Sequence, residues 1–241
     1  MNNQQKEAIF NLLQTAEEQN ISLAFELINS LGEKVEDLLK PLEKILRANV
    51  LLQEFLLSNT EKKENYWKDA YKKLFQLERF IISGLNRYNP IDLQLNEYIS
   101  YLKNIKNFVW HHSNLSVLND SFVNLPNLHS LFLEHNQIIT IPDSFCQLKL
   151  LKTLSINNNN ITQLPENIGE LQNLEFLYIH NNQLVSLPES IADLPKLKQI
   201  TLYDNKIKME NLPKNLLTNS KLNFFVAKTI ERQINNDQEK D

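Results

Sequence analysis

Leucines recur every 23 residues through the second half of this 241-residue chain, and this period restricts the folds that the chain can adopt. Leu128, Leu151, Leu174 and Leu197 each open a similar string, which reads LEFLYIHNNQLVSLPESIADL in the copy that starts at Leu174. A repeat of this length is one supersecondary unit that cannot bury its apolar face alone, so successive copies must stack. The period therefore predicts a solenoid.

Each position in the repeat has a structural interpretation. The segment Leu177-Tyr178-Ile179 alternates between inward and outward residues, as a short strand does, and stacked copies would form a parallel sheet. Apolar residues at copy positions 1, 4, 6 and 11 are expected to fill a continuous core. The sequence also predicts two recurring structural devices: amides that satisfy backbone groups where the chain leaves the sheet (Asn136, Asn159, Asn182, Asn205), and prolines that favour an extended or 3₁₀ return path (Pro142, Pro165, Pro188).

The string resembles the leucine-rich-repeat pattern LxxLxLxxNxLxxLPxxhxxL. It is most similar to the short intracellular type with Leu-Pro on its convex side, which occurs in bacterial proteins and in Ras-binding scaffolds. The resemblance extends over about residues 105–222, with a degenerate opening copy at Ile105 and a shift of phase after Ile207. It implies an α/β fold, a leucine-rich-repeat solenoid with a curved parallel β-sheet, and ligands that dock on the concave face.

The first 104 residues lack the period and are predicted to form an all-α region of four to five helices. Apolar spacing predicts helices over 4–31 with a break near Asn20, over 33–57, after Thr60 with Leu77, Ile81 and Leu85 on one face, and over 92–103. The last helix is expected to cover the first repeat strand. The chain is thus divided into a helical domain or cap (1–104), a solenoid with its C-terminal cap (105–227) and a polar tail (228–241). The helical part could be a cap, a separate domain or a second binding surface.

Composition argues against several classes of function. The net charge is −4 and neither half is basic, so nucleic acid and membrane surfaces are not expected partners. Three glycines cannot supply a GxGxxG or P-loop motif, and no cofactor is predicted. The single cysteine, Cys146, cannot form an intramolecular disulfide, and the N-terminus does not read as a signal peptide. These features favour a cytoplasmic protein, and the Asn- and Lys-rich, Gly-poor composition favours a bacterial one.

Two groups of residues are candidate reactive sites. His111, His112, Glu134 and His135 fall at neighbouring repeat positions, but positions 7 and 8 lie on different parts of the turn, so no metal site is predicted. Cys146 lies in the outer segment of its copy, where no histidine is expected to act as its base. We therefore expect no catalytic residues and no enzyme activity.

The repeat register gives the outward residues of the concave face directly. It brings Phe176, Tyr178, His180 and Tyr203 together on two adjacent strands, with Phe132 and Glu134 two strands away from Tyr178. Exposed aromatic groups of this kind are typical of protein-binding hot spots, and these six residues are the predicted partner-binding site. The alternative is that the rings only pack across strands and stiffen the sheet.

The resulting hypothesis is a non-catalytic interaction module, a monomer or weak oligomer, that binds a protein partner. Three alternatives remain open. The helical half could assemble copies into a structural scaffold. By analogy with related repeats, the chain could regulate a small GTPase or an enzyme. The helical half could also hold an enzyme or metal-dependent module, although residues 1–104 contain neither histidine nor cysteine.

Overall fold

The chain forms six short parallel strands in one sheet within the residues described by our computed structural model, which are 3–14, 18–31, 78–83, 102–118 and 120–218. The strand order in the sheet follows the order in the chain. Leu131, Leu154, Leu177 and Ile200 lie side by side in register on successive strands. This alignment confirms the phase that the leucine period predicts. The strands are β1 (Arg79–Ser83), β2 (Asn107–His111), β3 (Ser130–Phe132), β4 (Thr153–Ser155), β5 (Phe176–Tyr178) and β6 (Gln199–Thr201).

The core runs along the inside of the sheet, as predicted. In the copy that begins at Leu151, the residues at positions 1, 4, 6 and 11 are Leu151, Leu154, Ile156 and Ile161, and each is at most 2% exposed. Burial of one such aliphatic side chain contributes about 1.5–3 kcal/mol. Because each side chain packs against the next copy, stability depends on the interfaces between neighbours.

Short 3₁₀ helices return the chain along the opposite side of the solenoid. Pro142 and Pro188 precede two of them with φ of −62° and −65° and extended ψ of 145° and 144°. The proline ring fixes this φ and needs no hydrogen-bond acceptor for its nitrogen, which confirms the predicted return path. The helices are η1 (Asp120–Asn124), η2 (Asp143–Gln147), η3 (Ile168–Glu170), η4 (Glu189–Asp193) and η5 (Met209–Asn211).

A ladder of buried asparagines joins the copies where the chain leaves the sheet. Nδ2 of Asn159 donates to the carbonyl oxygens of Leu133 and Ile156, both at 3.0 Å, and Oδ1 accepts the backbone N–H of Ile138 at 3.0 Å. Asn136, Asn182 and Asn205 repeat this pattern. In the opening copy Ser113 takes this position, and its hydroxyl donates only within its own turn, to the carbonyl of His111. The predicted role of the asparagines is confirmed.

The residue just before each ladder position adopts a left-handed backbone conformation. The five positions have φ between 54° and 57°, and they carry histidine, asparagine or aspartate. These side chains tolerate positive φ better than bulky or β-branched residues do, which accounts for the polar composition of repeat position 8. The residues are His112, His135, Asn158, Asn181 and Asp204.

Two helices pack on each other near the N-terminus, α1 (Asn3–Gln14) and α2 (Glu18–Ser30). Ile9, Ala24 and Ile28 are buried in this part of the chain. The predicted run over 4–31 is divided into two helices as expected, but α2 begins at Glu18 and includes Asn20, so the division lies a few residues before the predicted one. Near the other end, α3 (Lys214–Thr218) buries Leu216.

The prediction of a helix over residues 79–83 is wrong, because this segment is strand β1. It pairs in parallel with β2, with Arg79 opposite Asn107 and Phe80 opposite Phe108. Phe80 is fully buried and its ring stacks on Phe108 with centroids 5.2 Å apart. The Phe-Ile-Ile sequence suits a half-buried strand, and pairing along the open edge of β2 outweighs the helical spacing. Strand β1 therefore occupies the edge of the first repeat strand, and the helix over 92–103 that was predicted to cover that strand lies mostly outside the described residues.

The remaining predictions for the ends of the chain concern residues outside the described ranges. They include the helix over 33–57, most of the helix over 92–103, the last part of the C-terminal cap over 219–227 and the polar tail. The division of the chain at residue 104 also stays a prediction, although β1 already belongs to the sheet.

Candidate functional site

Two aromatic side chains project from β5 on the side of the sheet that faces away from the core. In this strand Leu177 is buried, whereas Phe176 and Tyr178 on either side of it are half-buried. Their rings are nearly parallel, at 12°, with centroids 6.4 Å apart. The Nζ of Lys198 lies 5.8 Å from the centroid of the Phe176 ring, within the range of a cation–π contact.

A second ring pair continues the surface toward the end of the sheet. His180 stacks on Tyr203 of the next copy, with centroids 4.3 Å apart and an interplanar angle of 19°. Nδ1 of His180 also lies 3.0 Å from Oγ1 of Thr201. We call Phe176, Tyr178, His180 and Tyr203 the aromatic patch. The structure brings these four predicted residues together as two stacked pairs.

The other two predicted residues, Phe132 and Glu134, lie in a separate depression over strands β1 to β4. Its volume is about 440 Å³. Ser155 separates it from the aromatic patch: this serine follows the outward register of β4, yet it is only 3% exposed, and its hydroxyl donates to Oδ1 of Asn157 at 2.8 Å. We call the depression the N-terminal depression, lined by Arg79, Val109, His111, Phe132, Glu134, His135 and Asn157.

Arg79 and Lys198 are the site residues that the sequence interpretation missed. The helical spacing of Leu77, Ile81 and Leu85 predicts a helix here, so the sequence does not place Arg79 at the site. Leu77, Phe80 and Ile82 match the LxxLxL core of the repeat and could have indicated a strand. However, Phe80 and its partner Phe108 are 28 residues apart, which does not fit the 23-residue period. Lys198 occupies repeat position 2, which is not one of the outward strand positions that the repeat register predicts.

Three histidines cluster at the edge of the N-terminal depression. His112 stacks on His135 with centroids 4.3 Å apart and 13° between the planes, and His111 contacts His112 edge-on at 5.2 Å. An imidazole binds a metal through a lone pair in its ring plane, so two parallel stacked rings do not aim their nitrogens at one ion. Among the described residues, no group of three or more histidine, cysteine or carboxylate side chains is arranged to hold a metal ion.

The electrostatic surroundings of His135 oppose its protonation. Desolvation by burial lowers the pKa of His135, as do the nearby His112 and His111, whereas Glu134 acts in the opposite direction. Nε2 of His135 lies 3.4 Å from Nδ2 of Asn158. A neutral imidazole can accept a hydrogen bond from this amide, but a protonated ring cannot.

Cys146 lies in η2 and is 2% exposed. Burial, followed by the carboxylates of Glu170 and Asp143, raises the pKa of its thiol to about 11. A nucleophilic cysteine needs the opposite shift, toward a thiolate near neutral pH. The surroundings of Cys146 are therefore those of a structural cysteine.

Two overlapping family matches together span the repeat region. A family described as "Leucine rich repeat" matches residues 103–161, and one described as "Leucine-rich repeat region" matches residues 142–236. Comparison with proteins of curated function finds no match. No helix in the described ranges is both long and apolar enough to cross a membrane.

Several solved structures resemble part of the chain. A leucine-rich-repeat protein of Leptospira interrogans is 31% identical with a TM-score of 0.46, over 49% of this chain and 34% of that one. Internalin C2 of Listeria monocytogenes is 28% identical with a TM-score of 0.44, over 52% of each chain. The plant peptide hormone receptor RGFR1, solved in complex with RGF2, is 26% identical with a TM-score of 0.43, over 52% of this chain and 24% of the receptor. In each case less than two thirds of the other chain is covered.

Proposed function

Because this chain carries leucine-rich repeats, which generally mediate protein–protein interaction, we propose that it is a non-catalytic module that binds a protein partner on the concave face of its sheet. One observation carries the proposal: four aromatic side chains form two stacked pairs on the outward side of adjacent copies. The proposed contact residues are the aromatic patch together with Phe132 and Glu134.

The arrangement of the rings favours binding over a purely structural role. Rings that stiffen a sheet pack across strands, as His180 and Tyr203 do. Phe176 and Tyr178 both belong to β5, so their stacking joins no neighbouring strands. Half-exposed aromatic rings leave apolar surface in contact with water. A partner that covers them gains the free energy of burying this surface, and the stiff rings lose little side-chain entropy.

The finer assignments are also part of this proposal. Leu164-Pro165 and Leu187-Pro188 on the side opposite the sheet support the short intracellular Leu-Pro type of repeat. The lone cysteine supports a reducing compartment, and we assign the protein to the bacterial cytoplasm. The net charge of −4 argues for a protein partner over a nucleic acid.

Affinity purification from a native lysate tests the proposal. The full-length wild type, Tyr178→Ala and Val185→Ala would be immobilised at equal density, and captured proteins would be quantified by mass spectrometry. Val185 is 52% exposed and lies outside the sheet, so it is a matched control for the loss of exposed apolar area. We expect a protein that the wild type and Val185→Ala retain and that Tyr178→Ala loses. Equal recovery on all three would remove the aromatic patch as the binding site.

Self-association is a second candidate function, favoured by one observation on α2. Leu23 and Leu27 on α2 and Leu31 just after its end recur at helical spacing and are 45%, 37% and 38% exposed. Such a stripe can pair with the same stripe of another copy. Size-exclusion chromatography with light scattering would compare wild type and Leu27→Glu. A dimeric wild type with a monomeric variant supports this function, and a monomeric wild type at high concentration rejects it.

A further inference from the structure

The N-terminal depression has opposite charges at its two ends and an apolar floor between them. Arg79 lies at repeat position 3 on β1, and Glu134 lies at position 7, just beyond the end of β3. Strand spacing and rise place the two positions about 16 Å apart. Between them, Val109 and Phe132 present half-buried apolar side chains at position 5 of adjacent strands.

Neither charge is satisfied by an ion pair within the part of the chain that the structure describes. The ion pairs there are Lys106–Glu78, Lys149–Glu170 and Lys198–Glu175. Arg79 and Glu134 form no ion pair with each other either, since their backbone positions lie about 16 Å apart. Each is therefore available to a counter-charge supplied by a ligand.

We propose that the N-terminal depression binds an extended segment of the protein partner that carries an acidic and a basic side chain on either side of an apolar one, at alternate positions. The inference rests on the proposed protein-binding function and specifies the chemistry of the partner. An extended chain rises about 3.3 Å per residue and points every second side chain the same way, so three such side chains span about 13 Å. Side-chain reach covers the remaining distance to Arg79 and Glu134.

Each of the three side chains has a matching surface. The acidic one pairs with the guanidinium of Arg79, which can hold a carboxylate with two parallel hydrogen bonds. The apolar one packs on Val109 and Phe132. The basic one pairs with Glu134, which carries the single carboxylate among the outward side chains at positions 3, 5 and 7 of the described repeats, and its alkyl stem packs on the Phe132 ring.

The probe for the test is a display library of random 12-residue peptides, selected on the full-length protein. Enriched peptides would be synthesised, and their affinities would be measured by fluorescence polarisation against wild type, Glu134→Gln, Arg79→Gln, Tyr178→Ala and the control Glu189→Gln. Glu189 is an exposed carboxylate on η4, away from the sheet. Far-UV circular dichroism would check the folding of each variant.

The expected result is an enriched acid–x–apolar–x–base pattern in either direction. Neutralising the peptide's basic residue should weaken binding to wild type at least about threefold but leave binding to Glu134→Gln unchanged, and its acidic residue should couple to Arg79 in the same way. Peptides that bind with no such coupling but depend on Tyr178 would overturn the inference and leave the proposed function standing. Peptides whose affinity is unchanged by all three substitutions on the sheet would overturn both the inference and the proposed function. No enrichment above the blocked support would also reject the inference.

Discussion

Phe176 and Tyr178 stack on each other along one strand, and both face away from the core that Leu177 enters between them. Because the two rings are half-exposed and the contact of Phe176 with the next copy is the exposed Lys198, Phe176→Ala should lower the free energy of unfolding by less than about 1 kcal/mol. Leu177→Ala on the same strand removes a fully buried side chain and should cost about 2–5 kcal/mol. Urea unfolding followed by circular dichroism would compare the two. Equal losses would mean that Phe176 belongs to the core.

Substitution of Asn159, a member of the buried asparagine ladder, should destabilise the fold strongly. Asn159→Leu leaves the carbonyls of Leu133 and Ile156 and the N–H of Ile138 without this side-chain partner. An unsatisfied buried group costs about 1–3 kcal/mol, so the variant should lose about 3 kcal/mol or more. Asn160→Ala, an exposed change one residue away, is the control and should be nearly neutral. Urea unfolding would compare the two variants. Equal midpoints for Asn159→Leu and Asn160→Ala would contradict the stabilising role of the asparagine ladder.

Gly169 is required by close packing between neighbouring 3₁₀ helices. A Cβ atom at this position would collide with the backbone carbonyl oxygen of Ser190 in the next copy. Gly169→Ala should therefore destabilise the protein by about 1–3 kcal/mol, since backbone on both sides must move. Ala192→Gly, the equivalent position one copy later, is the reverse substitution and should cost less, about 1 kcal/mol. The prediction fails if Gly169→Ala unfolds at the wild-type denaturant concentration.

Stability should fall at mildly acidic pH because of His135. Its pKa is lowered in the fold, so the unfolded chain takes up a proton first as the pH falls through about 6.5. This contribution to stability is complete above that pH, and it is lost as the pH falls further toward the folded-state pKa. The groups facing the ring are His112, His111, Glu134 and Asn158. Urea midpoints at pH 7.5 and pH 5 should separate more for wild type than for His135→Gln, and identical pH dependence would contradict this.

Cys146 should be unreactive in the native protein. Raising the thiol pKa from 9.0 to about 11 lowers the thiolate fraction roughly 100-fold at pH 8, and burial also blocks access. Reaction with 5,5′-dithiobis(2-nitrobenzoate) should be slow in buffer and complete within the mixing time in guanidinium chloride. Rapid labelling of the folded protein would show that η2 opens or that the thiol is activated.

The phase of the leucines was enough to predict most of the repeat architecture. A side chain's repeat position determines both its strand and its face, so the outward placement of Phe132, Phe176 and Tyr178 followed from counting. The asparagine ladder was predictable because a buried turn must satisfy its backbone groups. These features depend on local position in the repeat and on contact with the adjacent copy.

The sequence could not predict features where the same segment fits a helix and a strand equally well. Leu77, Ile81 and Leu85 fit a helix as well as Leu77, Phe80 and Ile82 fit a strand, and the open edge of β2 decides between them. Side-chain rotamers were not predictable either. Periodicity places the rings of the aromatic patch on one face, but it does not predict that Phe176 stacks on Tyr178 within one strand. The N-terminal depression depends on both, since Arg79 enters it from β1.

The most direct test of the concave-face proposal is the dissociation constant of the captured partner, measured by calorimetric titration. Wild type, Tyr178→Ala and Val185→Ala would each be titrated with the purified partner. A central aromatic hot spot contributes about 2 kcal/mol or more, so Tyr178→Ala should weaken binding about 30-fold, whereas Val185→Ala should bind like wild type. Equal dissociation constants for wild type and Tyr178→Ala, with both proteins folded, would contradict the account.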